Sequence, residues 1–488
     1  MSGVRRAFAW ATIGRYVIMA INLATAMMVA RIIAPAAFGV SVIGGSIYAI
    51  AEALRELGGG AYLIQQKELT IEKMRTSITT SLLVSLVISA CLYVGAIPLA
   101  RFYGLPEVER YIYVASAGYA LGPFIFPIFA LMSREMAFGS FALVSVSMSL
   151  IGALTTIVLA IAGFSYMSFA WASVASAIAG SILCYFLGPD RSIYRLSLTE
   201  WRGVIGFGAF DSATALIGAL GDYAPYLVLG KLLDTASVAV TQRAILLSLF
   251  PGRVILAGVG AVALPIFSRS VREGSDTKRT YLAAIELITG VQWPCLILFG
   301  LLAHPMVSVL LGSQWLEVAP LLKILCLAVA FSFPWALQYP VLVAVGKVSQ
   351  LPRLVAFQAL LNTAAVCVTA RYGLFVVATG WAVIAPVNAF AAVWLVRKHL
   401  QFRWLEFIEA IHKSAWLSVM SCLGPIAVTM AAGASSDLSI KAALIAVCLS
   451  AAGWAAGLRL THHPLRIEVL RALRSSWRTL STRVSYSS

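Results

Sequence analysis

Ten charged side chains stand inside stretches otherwise apolar enough for a bilayer: Arg15, Glu52, Arg55, Glu56, Asp211, Asp222, Arg243, Arg253, Glu286 and Lys323. A charge at the bilayer centre costs about 3 kcal/mol on insertion scales and more in simulations. Each therefore needs a wet cavity, a partner, or a short reach to the surface. Glu286 and Lys323 are near a span end and are expected to snorkel. Arg15 lies about 12 Å into its span, so snorkelling to the surface stays open for it, and Asn22 stands two turns on along the same face. Arg55 is near mid-span and follows Glu52 by three residues, the spacing of a helical ion pair. Asp211 and Asp222 are eleven residues apart, three turns, and share one face of their helix, while Arg243 and Arg253 lie on the next. Guanidinium presents planar paired donors and keeps its charge at any relevant pH, which suits phosphate. Arg15, Asn22, Arg55, Arg243 and Arg253 are therefore candidate contacts for an anionic ligand in an internal cavity. The carboxylates Glu52, Glu56, Asp211 and Asp222 would partner the arginines or bind a coupling cation, and the pattern leaves both open. A purely structural Arg55–Glu52 pair is a third reading.

These side chains must be positioned by membrane helices. The 488 residues are 60% hydrophobic and only 11% charged, with a mean hydropathy of +0.90. A soluble domain could not hide that much apolar surface, whereas lipid can face it directly. At about 20 residues per crossing, the spans fall at 7–30, 40–65, 78–100, 111–132, 138–162, 166–187, 204–230, 237–260, 281–302, 318–343, 353–370, 373–396, 415–432 and 439–458. That is an all-α polytopic membrane protein of about 14 helices. Of its 36 Lys and Arg, 25 fall in alternate loops and tails assigned inside, 6 in those outside and 5 within spans. The positive-inside bias places both termini in the cytoplasm. It also accounts for the net charge of +16, so nucleic acid, which needs basic residues gathered on one soluble face, is not an expected partner.

Residues 1–30 do not read as a cleavable signal, because Arg15 interrupts an apolar run that continues too far. Seven cysteines are scattered through the spans without a CxxC and read as small apolar packers. The five histidines show no ligand spacing, and His462-His463 reads as tail. No metal or cofactor is expected.

The chain repeats itself. Met28–Ala36 matches Val228–Ala236 at an offset of 200, and Gly163, Trp171 and Ala172 recur as Gly373, Trp381 and Ala382 at 210. Six spans separate the copies, so orientation is preserved and the repeat is parallel about an axis along the membrane normal. The expected organisation is an N-terminal lobe over 1–190, a C-terminal lobe over 191–398, an extra helix pair over 399–458 and a tail over 459–488. In the tail, Leu470, Leu473, Trp477 and Leu480 form one helical stripe flanked by arginines, suited to the anionic leaflet of membrane lipids; a partner-binding or disordered tail is the rival reading. Gly58-Gly59-Gly60 and Pro251 interrupt the second span of each lobe and are expected to bend it.

Three segments carry a family resemblance: Val29–Gly39 at the end of the first span, Ser133-Arg134-Glu135-Met136-Ala137-Phe138 after the fourth, and the run Asp222-Tyr223, Leu229–Leu232, Arg243-Ala244, Pro251 and Pro265–Arg269. In order and spacing they resemble Wzx-type polysaccharide flippases, of the exopolysaccharide, O-antigen and colanic-acid branch of the multidrug/oligosaccharidyl-lipid/polysaccharide exporter superfamily. The resemblance implies a transporter and no enzyme. Its cargo would be an undecaprenyl-diphosphate-linked oligosaccharide, moved across the bacterial inner membrane for exopolysaccharide or lipopolysaccharide synthesis, by alternating access through a cationic cavity. A polysaccharide polymerase and a chain-length regulator are the implied partners. A cation-coupled multidrug exporter of the same superfamily and a peptidoglycan-precursor flippase are the alternatives. A polymerase or glycosyltransferase would need large outer loops or an Asp-x-Asp pair, and the chain has neither.

Overall fold

The computed structural model describes residues 2–188, 191–432 and 438–471, with the side chains of 2–9, 11, 56, 61, 191, 210 and 255–261 outside that description. The predicted amphipathic tail beyond Arg471 therefore lies outside it. Hydrocarbon offers no partner to a free peptide group, so spanning backbone must bond within itself. Every regular element among the described residues is accordingly helical.

The helices are α1 (Ser2–Ile32), α2 (Pro35–Ala53), α3 (Gly60–Gln65), α4 (Ile71–Tyr103), α5 (Pro106–Tyr119), α6 (Phe126–Arg134), α7 (Phe138–Ile161), α8 (Met167–Leu187) and α9 (Trp201–Leu232). They continue as α10 (Thr235–Arg272), α11 (Thr277–Leu301), α12 (Ala303–Leu310), α13 (Val318–Ala330), α14 (Trp335–Ala344), α15 (Leu351–Thr369), α16 (Leu374–Leu400), α17 (Trp404–Ala431) and α18 (Ile440–Leu460). Among the described residues, 13 helical stretches are long and apolar enough to cross a membrane; α5 with α6, and α13 with α14, each form one broken crossing. The 38-residue α10 is a further helix of crossing length and runs on through Pro251 and Pro265. Thr70, Asp276 and Ser439 cap the first turns of α4, α11 and α18 with their side-chain oxygens. The chain is an all-helical polytopic membrane protein.

The backbone repeats at the two offsets seen in the sequence. The connection after α1, with Ile33 N donating to Val29 O and Phe38 N to Ala34 O, recurs 200 residues later as Leu233 to Leu229 and Val238 to Asp234. After α6, Glu135, Met136 and Ala137 donate to Leu131, Ser133 and Met132; 210 residues on, Val345, Gly346 and Lys347 donate to Val341, Val343 and Leu342. Met136 and Gly346 both take positive φ there, 55° and 70°.

The residues fall into two units. The first comprises Met1–Arg243, Leu310–Trp315 and Val355–Val377. Within it α1 packs on α7, α7 on α8, α5 on α4 and α8, and α9 on α2 and α4. Its core joins Ile125, Ile128, Leu131 and Met132 to Tyr62 and Leu63 of α3 and Val204 of α9. The second comprises Ala244–Val309, Leu316–Leu354 and Ala378–Ser488. There α11 packs on α13 and α17, and α17 on α18, over rings that include Tyr281 and Phe402 with centroids 5.6 Å apart. Membrane helices gain little from burial against one another and rely on close approach. At Gly453 of α18 a Cβ would lie 2.4 Å from the Met420 carbonyl oxygen, so only glycine allows that distance.

Two expectations need correcting. Glu286 does not snorkel freely: it sits 3.8 Å from Lys413. His463 is no loose tail residue, being 1% exposed, with Nε2 3.1 Å from Ser414 Oγ and Nδ1 accepting from Leu465 N.

Candidate functional site

The glycine run in the second span does break the helix. Helix α2 stops at Ala53, a 3-10 turn covers Leu54–Gly58, and α3 restarts at Gly60. Gly59 makes this possible with φ of 83°, in the left-handed region that costs other residues about 1–2 kcal/mol. Its neighbour Gly58 is required for a different reason: a Cβ there would stand 2.7 Å from Ser81 of α4.

Broken backbone at membrane depth survives only where side chains replace the missing bonds. Tyr119 Oη donates to Ala51 O at 3.1 Å. Ser77 Oγ lies 3.0 Å from Gly58 O and 3.4 Å from Gly59 O. Arg134, ending α6, donates to the carbonyls of Leu63, Ile64, Gln66 and Lys67 at the end of α3. Tyr62 Oη adds a 3.1 Å bond to Glu200.

Beside this break lies a cavity of about 350 Å³. Its polar lining is Arg55, Ser81, Ser133 and Asp211, set among Phe126, Phe129, Ile64 and the glycines 58 and 60. Arg55 leaves the 3-10 turn, its side chain 14% exposed, and forms an ion pair with Glu52, 28% exposed. Its guanidinium carbon is 3.1 Å from the Phe126 ring centroid. A cation paired with a carboxylate against a ring, at the wall of an open volume, is placed to meet another anion.

The remaining predicted residues are placed as follows. Arg15 and Asn22 are exposed on α1, and Ser149 Oγ of α7 donates to Asn22 Oδ1 at 3.4 Å. Asp211 is half-buried in the cavity wall and Asp222 is exposed. Glu56 falls in the 3-10 turn, and its side chain is outside the described residues. Arg243 is 4% exposed, its guanidinium carbon 3.9 Å from the Phe38 ring and 5.5 Å from Trp315. Arg253 is exposed in the second unit. The first unit thus brings Arg55, Glu52 and Asp211 together, and the cavity lining includes none of Arg15, Asn22, Asp222 or Arg243. Ser81, Ser133, Phe126 and Phe129 were missed by sequence reasoning. Only the helix breakers Pro123 and Pro127 beside the two rings hinted at them. Among the described residues no group of three or more His, Cys, Asp or Glu is placed to hold a metal.

Comparison with known proteins agrees with this architecture. A family profile described as "Polysaccharide biosynthesis protein" matches residues 28–320. The succinoglycan biosynthesis transport protein ExoT of Rhizobium meliloti is 26% identical over 404 residues, 80% of each chain. The lipopolysaccharide biosynthesis protein WzxC of Escherichia coli is 22% identical over 325 residues, 65% of each chain. In fold, the chain is similar to the lipid II flippase MurJ in an inward closed conformation, with a TM-score of 0.74, 12% identity, and coverage of 92% of this chain and 98% of that one.

Proposed function

The chain belongs to the polysaccharide biosynthesis protein family, and we propose that it flips an undecaprenyl-diphosphate-linked oligosaccharide across the bacterial inner membrane. It acts as a transporter and carries out no bond chemistry. The observation that carries the reading is Arg55: a guanidinium at the wall of a cavity in a membrane-embedded unit, beside two serine hydroxyls and Asp211.

Arg55 receives the diphosphate. Without cargo its charge is balanced by Glu52, which avoids an uncompensated cation in apolar surroundings. With cargo, phosphate oxygens replace the carboxylate and take the paired guanidinium donors. Ser81 and Ser133 supply further hydrogen bonds, and the volume falls within the ~300–1,000 Å³ of small-molecule sites. The lipid tail stays in hydrocarbon while the two repeats alternate access for the polar head. Asp211 is the charge partner that restores the resting state. Arg15, Asn22 and Arg253 attract the anion along its path. The predicted two-lobe division, cytoplasmic termini and a pathway polymerase and chain-length regulator complete the reading. An Arg55→Ala chain at normal membrane abundance is expected to abolish surface polysaccharide, with partial recovery by Arg55→Lys. Full polymer output from Arg55→Ala would overturn the proposal.

A further inference from the structure

Arg134 is absent from the cavity lining, yet it ties two walls of the cavity together. Phe126, Pro127, Phe129, Ala130 and Ser133 line it from α6, and Gly58, Gly60 and Ile64 from the broken second span. Arg134 Nη1 donates to Leu63 O at 2.8 Å, Ile64 O at 3.2 Å and Gln66 O at 2.6 Å, and Nη2 reaches Lys67 O at 3.4 Å. A helix leaves its last four carbonyls without partners; a single guanidinium fork here takes up two of those of α3, Leu63 O and Ile64 O, together with Gln66 O and Lys67 O just past its end. With six residues, α3 is far below the length at which a helix holds itself.

The internal repeat sharpens the point. At the 210 offset the position of Arg134 is Ala344, and the same hydrogen-bonded turn follows both. In the second half, the equivalent second helix is α10, which runs unbroken from Thr235 to Arg272. The arginine occurs where there is a broken helix to cap, and alanine where there is none.

We propose that Arg134 is a positioning residue for transport: by holding α3 it fixes the wall that carries the 3-10 turn and so sets Arg55 in the cavity. This rests on the reading that Arg55 receives the diphosphate. Arg134 carries the charge but does not touch cargo. Tyr62, bonded to Glu200, and the buried Leu63 also anchor α3, but Arg134 takes up the carbonyls of Leu63 and Ile64 at its end.

The test uses the full-length protein in nanodiscs and undecaprenyl diphosphate as the probe, with affinity measured on the folded fraction. Arg134→Ala is expected to weaken binding about tenfold. Arg134→Lys, which keeps the charge but lacks the fork, is expected to recover only part. A merely stabilising arginine would lower the melting temperature and yield while leaving the folded fraction's affinity unchanged, and that result overturns the proposal. Should Arg134→Ala not be recovered folded, Arg134→Lys decides: affinity within about twofold of the parent overturns the proposal and a larger loss supports it. Arg55→Ala separates the two layers. If it too binds normally, the diphosphate reading itself fails; if it alone loses binding, only the role of Arg134 does.

Discussion

The guanidinium carbon of Arg243 stands 3.9 Å from the centroid of the Phe38 ring, joining the first turns of α10 to those of α2 inside one unit. At 4% exposure the cation is desolvated, the condition in which such a contact is worth about 2 kcal/mol or more. Phe38 is further held edge-on by Trp315, with centroids 5.7 Å apart, and Trp315 Nε1 bonds Ala30 O at 2.6 Å. Arg243→Ala is therefore expected to lower the melting temperature of the purified protein, with polysaccharide output falling in step with abundance. A double-mutant cycle with Phe38→Leu should show a coupling of about 2 kcal/mol. Strictly additive losses would remove the ring contact from the account.

Glu52 makes the opposite kind of prediction. Replacing it by Gln leaves Arg55 its charge but removes the resting partner. Binding of a diphosphate lipid should tighten, because the paired carboxylate no longer competes for Arg55, while turnover in proteoliposomes slows, because Asp211 alone is left to assist release. The two effects are read separately as affinity and flipping rate. A parallel loss of both would show Glu52 to be a cargo contact or a fold requirement.

Much of this fold is legible in the chain because lipid imposes a simple rule: a crossing needs a fixed apolar length. The span read as 138–162 is helix Phe138–Ile161, and 166–187 is Met167–Leu187. The repeat is equally plain, since the turns at Ala34 and Asp234 hold the same bonds. Which face of a helix looks inward is far harder to read. Helices apolar all round lack the polar stripe that orients a soluble helix. Arg55 and Asp211 do meet at one cavity, while Arg243, two turns into α10, lies against aromatic rings. Arg134 shows a further gap: it counts as one inside charge in a loop, and nothing local announces that α3, about 70 residues earlier in the chain, needs its carbonyls capped. Long-range capping of this kind is invisible to periodicity.

Glycines in the first unit give a paired test of close packing. A Cβ at Gly39 would stand 1.7 Å from the carbonyl oxygen of Thr235, a backbone atom unable to rotate away. Gly206 of α9 has nothing within 4 Å of such a Cβ. Gly39→Ala is expected to destabilise by more than about 2 kcal/mol and to cut membrane abundance. Gly206→Ala should be neutral or gain up to ~1 kcal/mol from the better helix former. Thermal melting monitored by fluorescence size exclusion measures both. Equal melting temperatures for the two variants would mean the α2–α10 approach can relax.

The C-terminal segment after α18 should respond to acid through His463. This ring is pressed against Gly290 of α11, where a Cβ would lie 2.7 Å from Cε1. Nδ1 accepts from Leu465 N at 3.2 Å, so the ring proton sits on Nε2 and is directed to Ser414 Oγ, 3.1 Å away. Ser414 in turn accepts from Thr289 Oγ1 at 2.8 Å and donates to Glu286 O at 3.1 Å. No acceptor remains for a second ring proton. Burial, with the nearby Lys413 charge adding to it, pushes the imidazole down from 6.5 to about 4. Glu286, paired with Lys413, is the other charged group at this seat. Because the folded value lies below the unfolded one, the contribution is complete above about pH 6.5 and is lost as pH falls toward 4. By pH 4 the loss reaches ~3 kcal/mol. The melting temperature of the wild-type protein should therefore drop across this window, and the drop attributable to His463 should be missing in His463→Gln. An acid-induced fall of the same size in the parent and in the His463→Gln variant would assign the sensitivity to other groups and leave the imidazole a packing residue.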